Sequence, residues 1–297
     1  MKILRAGICA TDLALQRGYM NFRGVPGHEF VGVALDGPLE GQRVVGEINA
    51  SCGSCVFCAQ GLPRHCTQRT VLGILNRSGA FAEQLRLPTS NLHLVPTELS
   101  TDSATFVEPA AAAFEIREQV DLRAGTKALV QGDGRLGLLC AQVLASEGVQ
   151  VDLFGRHPER AAWLPDGIEY VGQQAESSLA GQYDLVVEAS GDPRGIVSAL
   201  AAVRPRGTVV LKTTTERSPE ANAELDLSRL VVDEVTLLGS RCGPFEPALD
   251  ALTDGRLIVG PMIEARYPLS EGQQAFDRAS QRGVLKILID VNDDDAN

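Results

Sequence analysis

Two short motifs near the start of the chain carry side chains that bind metal ions. Gly7-Ile8-Cys9-Ala10-Thr11-Asp12 supplies a thiol, and Gly27-His28-Glu29 supplies an imidazole and a carboxylate. Three protein ligands with one open coordination position are what a catalytic zinc ion requires. Cys9 alone or His28 alone would more simply be a buried core residue, so the hypothesis of a metal enzyme depends on the motifs that follow.

A second cysteine-rich motif lies between residues 50 and 68. Its thiols follow the spacing C-x2-C-x2-C-x7-C and belong to Cys52, Cys55, Cys58 and Cys66. A two-residue spacer lets a tight turn direct two sulfurs to one point, and a closed shell of four thiolates predicts a structural zinc. Two disulfides or a cysteine-ligated iron–sulfur cluster are the alternatives. The compact spacing and the expected compartment favour zinc.

A third motif, Gly132-Asp133-Gly134-Arg135-Leu136-Gly137, has the spacing G-x-G-x-x-G. It follows a short apolar run and leads into a helical pattern, and this context is typical of a dinucleotide-binding turn. The glycines permit the tight turn and let a pyrophosphate approach the N-terminus of the helix closely. We therefore predict a bound nicotinamide dinucleotide.

The type of dinucleotide depends on the end of the next strand, where an acidic side chain would bind the ribose 2′-hydroxyl of NAD. Gly155 takes that place and is followed by Arg156, His157 and Arg160. Arg156 can pair through two N–H groups with a 2′-phosphate, with the other two as helpers, so the sequence favours NADP(H) over NAD(H). The alternative is that Glu159 reaches the ribose and Arg156 is only a solvated charge.

The elements that must position these motifs change along the chain. In the N-terminal part, short alternating apolar runs, such as 30–34, 43–48 and 80–87, are broken by Gly and Pro and predict a β-rich domain. Further on, strand candidates are 127–131, 149–154, 168–171, 184–188, 208–211 and 235–239, and helical stretches lie near 157–163, 192–203 and 244–254. The alternation predicts an α/β fold with a doubly wound, parallel, six-stranded sheet.

Composition limits the classes of partner. The 297 residues are 44% hydrophobic and 22% charged, which is enough to build the cores of two domains. Because the chain has 27 basic and 38 acidic residues and is therefore negatively charged, we expect no nucleic-acid or membrane partner. No apolar run approaches the roughly 20 residues that cross a bilayer, and no signal pattern is evident, so we expect a cytoplasmic protein. Asp293-Asp294-Asp295 is predicted to be a solvated tail.

Together these motifs resemble those of the medium-chain, zinc-dependent alcohol dehydrogenase family. Further matches are the segment around Glu108, the segment 186–191 and the closing segment 268–290. The resemblance implies a GroES-like catalytic domain at 1–113 and 244–297, with a Rossmann domain at 114–243. It also implies a homodimer or homotetramer that pairs through the strand at 235–239.

The resemblance also assigns roles to residues. The implied ligands of the catalytic zinc are Cys9, His28 and Glu108, with Glu29 as an exchanging ligand or a close neighbour. Asp12 would orient the imidazole of His28, and Thr11 would take the proton of the alcohol. Ala14 stands where some members have a histidine that extends this proton path. Without the resemblance, Glu108 would only be an acid near a helix N-terminus.

The implied cofactor-binding residues are Gly132, Gly134, Arg135, Leu136, Gly137, Gly155, Arg156, His157, Ser190 and Lys212, although Lys212 could instead be a solvated strand end. A glutamate at 108, where classical members have a cysteine, is similar to the sorbitol, glucose and other polyol dehydrogenases. We therefore expect a zinc enzyme that transfers a hydride between a polyol, sugar-like or cyclic alcohol and the cofactor. A non-redox NADPH-binding sensor and a zinc lyase or epimerase with tightly bound cofactor are the alternatives.

One feature departs from the family pattern. Members usually carry a further strand-forming stretch ahead of the first cysteine motif, whereas only eight residues precede Cys9 here. We expect the opening hairpin to be missing, which would leave an uncovered edge strand or a wider cleft. A start site placed too late is the alternative.

Overall fold

The computed structural model describes residues 1–214 and 227–292 of the chain. The predicted tail at Asp293-Asp294-Asp295 lies outside the described residues. Two compact units are present, and each is built from more than one segment. The first unit comprises Met1–Ala111, Phe245–Gly255 and Val259–Asn297, and the second comprises Ala112–Pro244 and Arg256–Ile258.

Strands and helices are numbered in chain order. The strands are β1 Lys2–Gly7, β2 Glu29–Val33, β3 Arg43–Gly46, β4 Asn49–Ala50, β5 Thr70–Leu72, β6 Asn76–Arg77, β7 Leu92–Leu94, β8 Lys127–Gln131, β9 Gln150–Gly155, β10 Ile168–Gly172, β11 Tyr183–Glu188, β12 Val203–Leu211, β13 Thr236–Gly239, β14 Ile263–Pro268 and β15 Lys286–Asp290. The α-helices are α1 Ala10–Gln16, α2 Val56–Ala59, α3 Thr101–Ala104, α4 Val107–Gln119, α5 Arg135–Ser146, α6 Gly195–Ala202, α7 Ser228–Val232, α8 Phe245–Thr253 and α9 Gly272–Ala279. Within the described ranges, none of these helices has the length and apolar character needed to span a bilayer.

The first unit is organised around a mixed sheet with the strand order β14-β15-β1-β2-β3-β7. β1 pairs antiparallel with both β2 and β15, so it lies inside the sheet. Ile8, Ile287 and Ile289 pack together with α9 and form an apolar cluster beside these strands. The expectation of an uncovered edge at the start of the chain is therefore wrong for β1, because β15 returns from the far end of the sequence to pair with it.

A smaller sheet has the strand order β4-β5-β6, and β4 and β5 flank the cysteine-rich lobe in the sequence. The predicted strand at 80–87 is not formed as a regular strand. This segment instead makes an isolated bridge between Gln84 and Lys2, flanked by backbone hydrogen bonds at Glu83 and Leu85. The run therefore follows the start of β1 without a continuous ladder.

The second unit contains a parallel sheet with the strand order β10-β9-β8-β11-β12-β13. Numbered within the unit, this is the order 3-2-1-4-5-6 of a dinucleotide-binding sheet, and it confirms the predicted fold class. Leu129, Val151 and Val186 are fully buried, as expected for strands covered by helices on both faces. The predicted helical stretch near 157–163 is a 3-10 helix, Pro158–Trp163.

Candidate active site

Cys9 stands at the junction between β1 and α1, where the chain turns from strand to helix. Its backbone is extended, with φ −103° and ψ 161°, and it is the N-cap of α1. Asp12, three residues later, accepts a hydrogen bond from the Cys9 N–H through Oδ2 at 2.8 Å. The acid thereby satisfies an N–H group that the helix leaves unpaired at its start, and it fixes the position of the thiol.

Asp12 also reaches the second motif. Its Oδ1 accepts a hydrogen bond from the Gly27 N–H at 3.0 Å and lies 3.3 Å from Nδ1 of His28. Asp12 is buried, with 1% of its surface exposed. With Nδ1 turned towards this carboxylate, Nε2 is the His28 nitrogen left to bind an ion. One buried carboxylate therefore holds both motifs in place.

The described side chains that converge here are suited to a metal ion. Ligand atoms of Cys9, His28 and Glu29 all lie within 4.8 Å of one another. Burial alone would lower the pKa of His28, but Asp12 and Cys9 outweigh it and raise that pKa well above its usual value. A site that attracts a proton to imidazole in this way has an excess of negative charge, and a thiolate, an imidazole and a carboxylate are zinc ligands.

Glu108 lies in the first turn of α4. Among the described residues, it does not belong to the group of Cys9, His28 and Glu29 whose ligand atoms lie within 4.8 Å of one another. Burial raises the pKa of Glu108 to about 7; nearby Glu29 and Glu47 act in the same direction, and His28 and Lys286 act against it. Glu108 is therefore close enough to the site to respond to its charges. With a pKa of about 7, the Glu108 carboxyl group is about half protonated at neutral pH when no cation is bound.

Glu29 has a partner that sequence reasoning missed. The ammonium group of Lys286, from β15, donates a hydrogen bond to Oε2 of Glu29, and both side chains are almost fully buried, at 1% and 2% exposed. Nζ of Lys286 also lies 5.2 Å from the centre of the Phe106 ring. A lone lysine in the apolar run Leu285-Lys286-Ile287-Leu288-Ile289 was the available signal, because a charge on a buried strand needs a partner.

Thr11 lies in the first turn of α1, next to the thiol. Its Oγ1 is 3.9 Å from Sγ of Cys9, and its side chain is half-buried. The Thr11 hydroxyl thus lies beside the candidate metal site, and the Thr11 side chain is partly accessible to solvent. This is the position at which the sequence analysis expects a proton acceptor.

The four cysteines of the lobe also converge. The sulfur atoms of Cys52, Cys55, Cys58 and Cys66 lie within 4.8 Å of one another, and each cysteine is a free thiol. The N–H of Cys58 is the main cause that lowers the pKa of the Cys55 thiol to about 6, whereas burial raises the pKa of Cys58 to about 11. A thiolate among thiols at this spacing fits a tetrahedral ion.

Backbone contacts explain the glycines of the dinucleotide turn. Gly132 has φ +104°, and a Cβ placed on it would lie 2.7 Å from Cα of Ser190. A Cβ placed on Gly137 would overlap the carbonyl oxygen of Gly132. By contrast, a Cβ on Gly134, the N-cap of α5, would meet nothing within 4 Å. The N-terminus of α5 is therefore open on the side where a pyrophosphate would bind.

The predicted cofactor residues differ in how they are held. Ser190 donates to Oε1 of Glu188 through both its N–H and its hydroxyl group. Lys212 is buried, and its ammonium group donates to the carbonyl of Ala112 at 2.6 Å, Oγ of Ser240 at 3.0 Å and the carbonyl of Arg241 at 3.0 Å. These three acceptors account for the three N–H groups of an ammonium. Lys212 thus ties the end of β12 to its neighbours, and a solvated strand end is excluded.

Arg156 and His157 follow Gly155 at the end of β9. The Arg156 side chain is about half exposed, at 51%, with Nη2 3.9 Å from Oδ2 of Asp192. The His157 ring lies against Asp133, at 3.1 Å from each carboxylate oxygen. Arg160, expected to help bind a phosphate, is instead buried at 4% exposure and donates to the carbonyl of Asp133. Of the basic groups here, Arg156 is the one directed to the surface.

A zinc-type donor set on one unit, together with a dinucleotide-binding sheet in the other, defines a metal-dependent dehydrogenase class. Comparisons with known proteins agree with this. Residues 1–97 match the alcohol dehydrogenase GroES-like domain, and residues 101–291 match the glucose dehydrogenase C-terminus. The chain belongs to the medium-chain, zinc-dependent alcohol dehydrogenase family, in its polyol-like branch. It is an alcohol oxidoreductase that uses NAD(P).

Individual relatives are similar over nearly the whole chain. L-Threonine 3-dehydrogenase of Streptomyces coelicolor is 31% identical, over 97% of this chain and 90% of the relative. D-Arabinitol dehydrogenase 1 of Uromyces fabae is 26% identical, over 98% and 89%. A crystal structure of a zinc-binding dehydrogenase from Sinorhizobium meliloti 1021, bound to NADP, superposes with a TM-score of 0.86 at 25% identity, covering 98% of this chain and 91% of that one.

Proposed function

We propose that the protein is a zinc-dependent dehydrogenase that transfers a hydride between a polyol or sugar-like alcohol, or its carbonyl counterpart, and NADP(H). The observation that carries this proposal is the convergence of Cys9, His28 and Glu29 around one point, with Asp12 holding the first two. The donor atoms fit zinc in type and spacing. An unrelated pair of core residues would not need a shared, fully buried carboxylate.

In this proposal the catalytic zinc is held by Cys9, His28 and Glu108. Glu29, whose carboxylate pairs with Lys286, would be a close neighbour of the ion or an exchanging ligand. As a ligand, Glu108 would be in its carboxylate form, because a nearby positive charge favours that form. A zinc ion bound there lowers the pKa of a coordinated hydroxyl group and polarises a carbonyl group.

The chain's own residues then handle the proton. Thr11 is placed beside Cys9, where its hydroxyl can accept the proton that an alcohol releases, and its partial exposure gives that proton a route to water. Asp12 keeps the His28 ring in one orientation through Nδ1. Ala14 cannot extend the route, so water is the acceptor after Thr11.

The four-cysteine lobe is proposed to hold a second, structural zinc. Its ligands are Cys52, Cys55, Cys58 and Cys66, and with all four positions filled this ion has no open coordination site. Arg64, within the lobe, pairs with Glu47 at 3.1 Å and so connects the lobe to the end of β3. Two zinc ions per chain are therefore expected. Reduced thiols of this kind suit the cytoplasm, which is the compartment we propose.

The preference for NADP(H) is supported by the absence of an acid at Gly155 and by the exposed guanidinium of Arg156. The similarity to an NADP-bound dehydrogenase is consistent with it. The substrate class is supported by the glutamate at 108 and by relatives named as arabinitol and sorbitol dehydrogenases. A homodimer or homotetramer is proposed through β13, which forms one edge of the sheet in the second unit.

The decisive experiment is a substrate screen. Purified protein, loaded with zinc, is incubated with polyols, cyclic alcohols and aldehydes in the presence of NAD or NADP, and reduced nicotinamide is followed by its absorbance. We expect turnover of a polyol with a higher kcat/KM for NADP than for NAD. Substrate conversion without net consumption of cofactor would indicate a lyase or epimerase. Cofactor binding with no turnover in the zinc-loaded protein would indicate a sensor and refute the proposal.

A further inference from the structure

The residue between the first two glycines of the dinucleotide turn is Asp133, and its side chain is buried, with 5% of the residue exposed. Its Oδ2 accepts hydrogen bonds from the N–H of Arg156 at 2.8 Å, the N–H of His157 at 2.7 Å and the hydroxyl of Tyr170 at 2.9 Å. One carboxylate thus joins the turn after β8 to the segment that follows β9 and to the middle of β10.

The groups around Asp133 stabilise its ionised form. Burial by itself would raise the pKa of Asp133, but the ring and N–H of His157 and the hydroxyl of Tyr170 outweigh burial, and the pKa is lowered. Arg160 adds to this set, because its Nη1 lies 2.5 Å from the carbonyl oxygen and 3.6 Å from Oδ1 of Asp133. The carboxylate therefore faces donors of the protein itself.

The same carboxylate explains the glycine at the end of β9. A Cβ placed on Gly155 would overlap the carboxyl group of Asp133 and would lie 2.5 Å from the Cβ of Asp133. Dinucleotide-binding sheets that prefer NAD place an acid at this strand end. No such side chain fits here while Asp133 is present, so positions 133 and 155 are sterically coupled.

The Arg156 side chain is exposed to solvent and only weakly paired. The backbone N–H of Arg156 donates to Asp133, whereas the guanidinium of Arg156 is about half exposed and lies 3.9 Å from Oδ2 of Asp192. Asp192 already pairs with Arg194 at 2.8 Å. The contact between Arg156 and Asp192 is therefore long and shared, and a phosphate that pairs with a guanidinium through two N–H groups can replace it.

We propose that Asp133 is a positioning residue that determines nucleotide specificity. Its buried carboxylate excludes an acid at position 155 and holds the segment 155–157 so that Arg156 meets the 2′-phosphate of NADP(H). The inference rests on the proposed function and deepens it, since it assigns the preference to a residue of the glycine turn in addition to the strand end.

The test uses isothermal titration of the zinc-loaded protein with 2′,5′-ADP and 5′-AMP, which differ only in the 2′-phosphate, so no catalysis is needed. We expect the wild-type protein to bind 2′,5′-ADP about tenfold or more tightly than 5′-AMP, and Asp133→Ala to lose most of this ratio. Asp133→Asn retains an oxygen for both N–H groups and should keep part of it. Thermal unfolding confirms that each variant is folded.

The coupling is tested by moving the acid along the chain. Gly155→Asp alone should weaken both nucleotides about tenfold or more, because its side chain overlaps Asp133. Asp133→Gly combined with Gly155→Asp should recover 5′-AMP binding and reverse the preference. If Gly155→Asp alone reverses the preference at full affinity, the steric coupling is refuted.

The remaining outcomes separate this inference from the proposed function. Equal weakening of both ligands in Asp133→Ala would show a merely structural role and overturn the inference. An unchanged ratio in that variant, with the wild-type preference for 2′,5′-ADP intact, would overturn it while leaving the proposed cofactor in place. A wild-type protein that binds neither ligand would overturn the inference and the proposed cofactor together.

Discussion

Replacing Lys286 by methionine removes the buried positive charge beside the metal site and leaves the Glu29 carboxylate without its partner. Both side chains are almost fully buried, at 1% and 2% exposed. Breaking a buried pair of this kind costs about 3–5 kcal/mol, since the remaining charge is uncompensated. Loss of the contact with Phe106 adds to this cost.

Zinc should reverse much of this loss. An oxygen of Glu29 lies within 4.8 Å of the ligand atoms of Cys9 and His28, so a bound cation can supply the positive charge that the variant lacks. Because the wild type also binds zinc, the deficit shrinks only by the difference in zinc binding between the two proteins, and a site that binds zinc about 100-fold more tightly in the variant recovers about 2.7 kcal/mol. Without Lys286 the Glu29 carboxylate has only the ion as a positive partner, so we expect Lys286→Met to bind zinc more tightly than the wild type and its stability deficit to be clearly smaller in zinc than in chelator.

The assay is urea unfolding, followed by circular dichroism, of both proteins in chelator and in excess zinc. Stabilisation by the cysteine lobe is common to both proteins and cancels in the comparison. Lys127→Met is a matched control, because Lys127 pairs with Asp152 at 3.5 Å away from any metal ligand, and its effect should not depend on zinc. An equal deficit for Lys286→Met with and without zinc would refute the reasoning.

Three further predictions concern the metal ligands and the sheet edge. In metal-free protein the pKa of Glu108 is about 7 in the folded state, against 4.5 in the unfolded chain. The free energy of unfolding of the wild type should therefore fall by up to about 3 kcal/mol relative to that of Glu108→Gln between pH 5 and pH 8. If urea unfolding gives the two proteins the same dependence of stability on pH, this prediction is wrong. Metal analysis should find two zinc ions in the wild type and one in Cys9→Ala, and Cys9→Ala should lose turnover. The control Cys140→Ala, which changes a buried cysteine outside both clusters, should retain two zinc ions. An unchanged zinc content in Cys9→Ala would exclude Cys9 as a ligand. Leu237→Lys, on edge strand β13 with Leu237 38% exposed, should lower the mass measured by light scattering to that of a monomer; a wild type that is already monomeric at micromolar concentration would contradict the proposed assembly.

Periodicity and short motifs were sufficient to predict the second unit. The alternation of apolar strands with helices predicted the six parallel strands, with differences of a few residues at the ends, because the central strands β8, β9 and β11 are largely buried and their apolar runs are nearly continuous. β12 begins earlier than expected, at Val203, although it contains Pro205 and the left-handed Arg206. The ladder with β11 pairs Val203 with Tyr183 and then Thr208 with Leu185, so Pro205 and Arg206 lie in the irregular stretch between these pairs, and no strand pattern marks them in the sequence.

The candidate metal site was predictable in part. Cys9, His28 and Asp12 lie within or beside recognisable motifs, and the structure brings them together. Lys286 was missed because 257 residues separate it from Glu29, and no local pattern connects residues so far apart. The role of Asp133 was missed for a related reason. Its partners lie on two later segments, so a motif defined by its glycines gives no information about the side chain between them.

The central place of β1 between β2 and β15 has a consequence for synthesis on the ribosome. Arg5 on β1 bonds to Asp290 on β15 across 285 residues, whereas the parallel sheet is complete once β13 has emerged. Domains tend to fold as soon as their segments are available. The dinucleotide-binding sheet can therefore fold before β15, the neighbour of β1 in the first sheet, has been synthesised. Until then one edge of β1 has no partner strand. Nascent chains stalled before residue 286 should therefore recruit chaperones more strongly than chains released at full length.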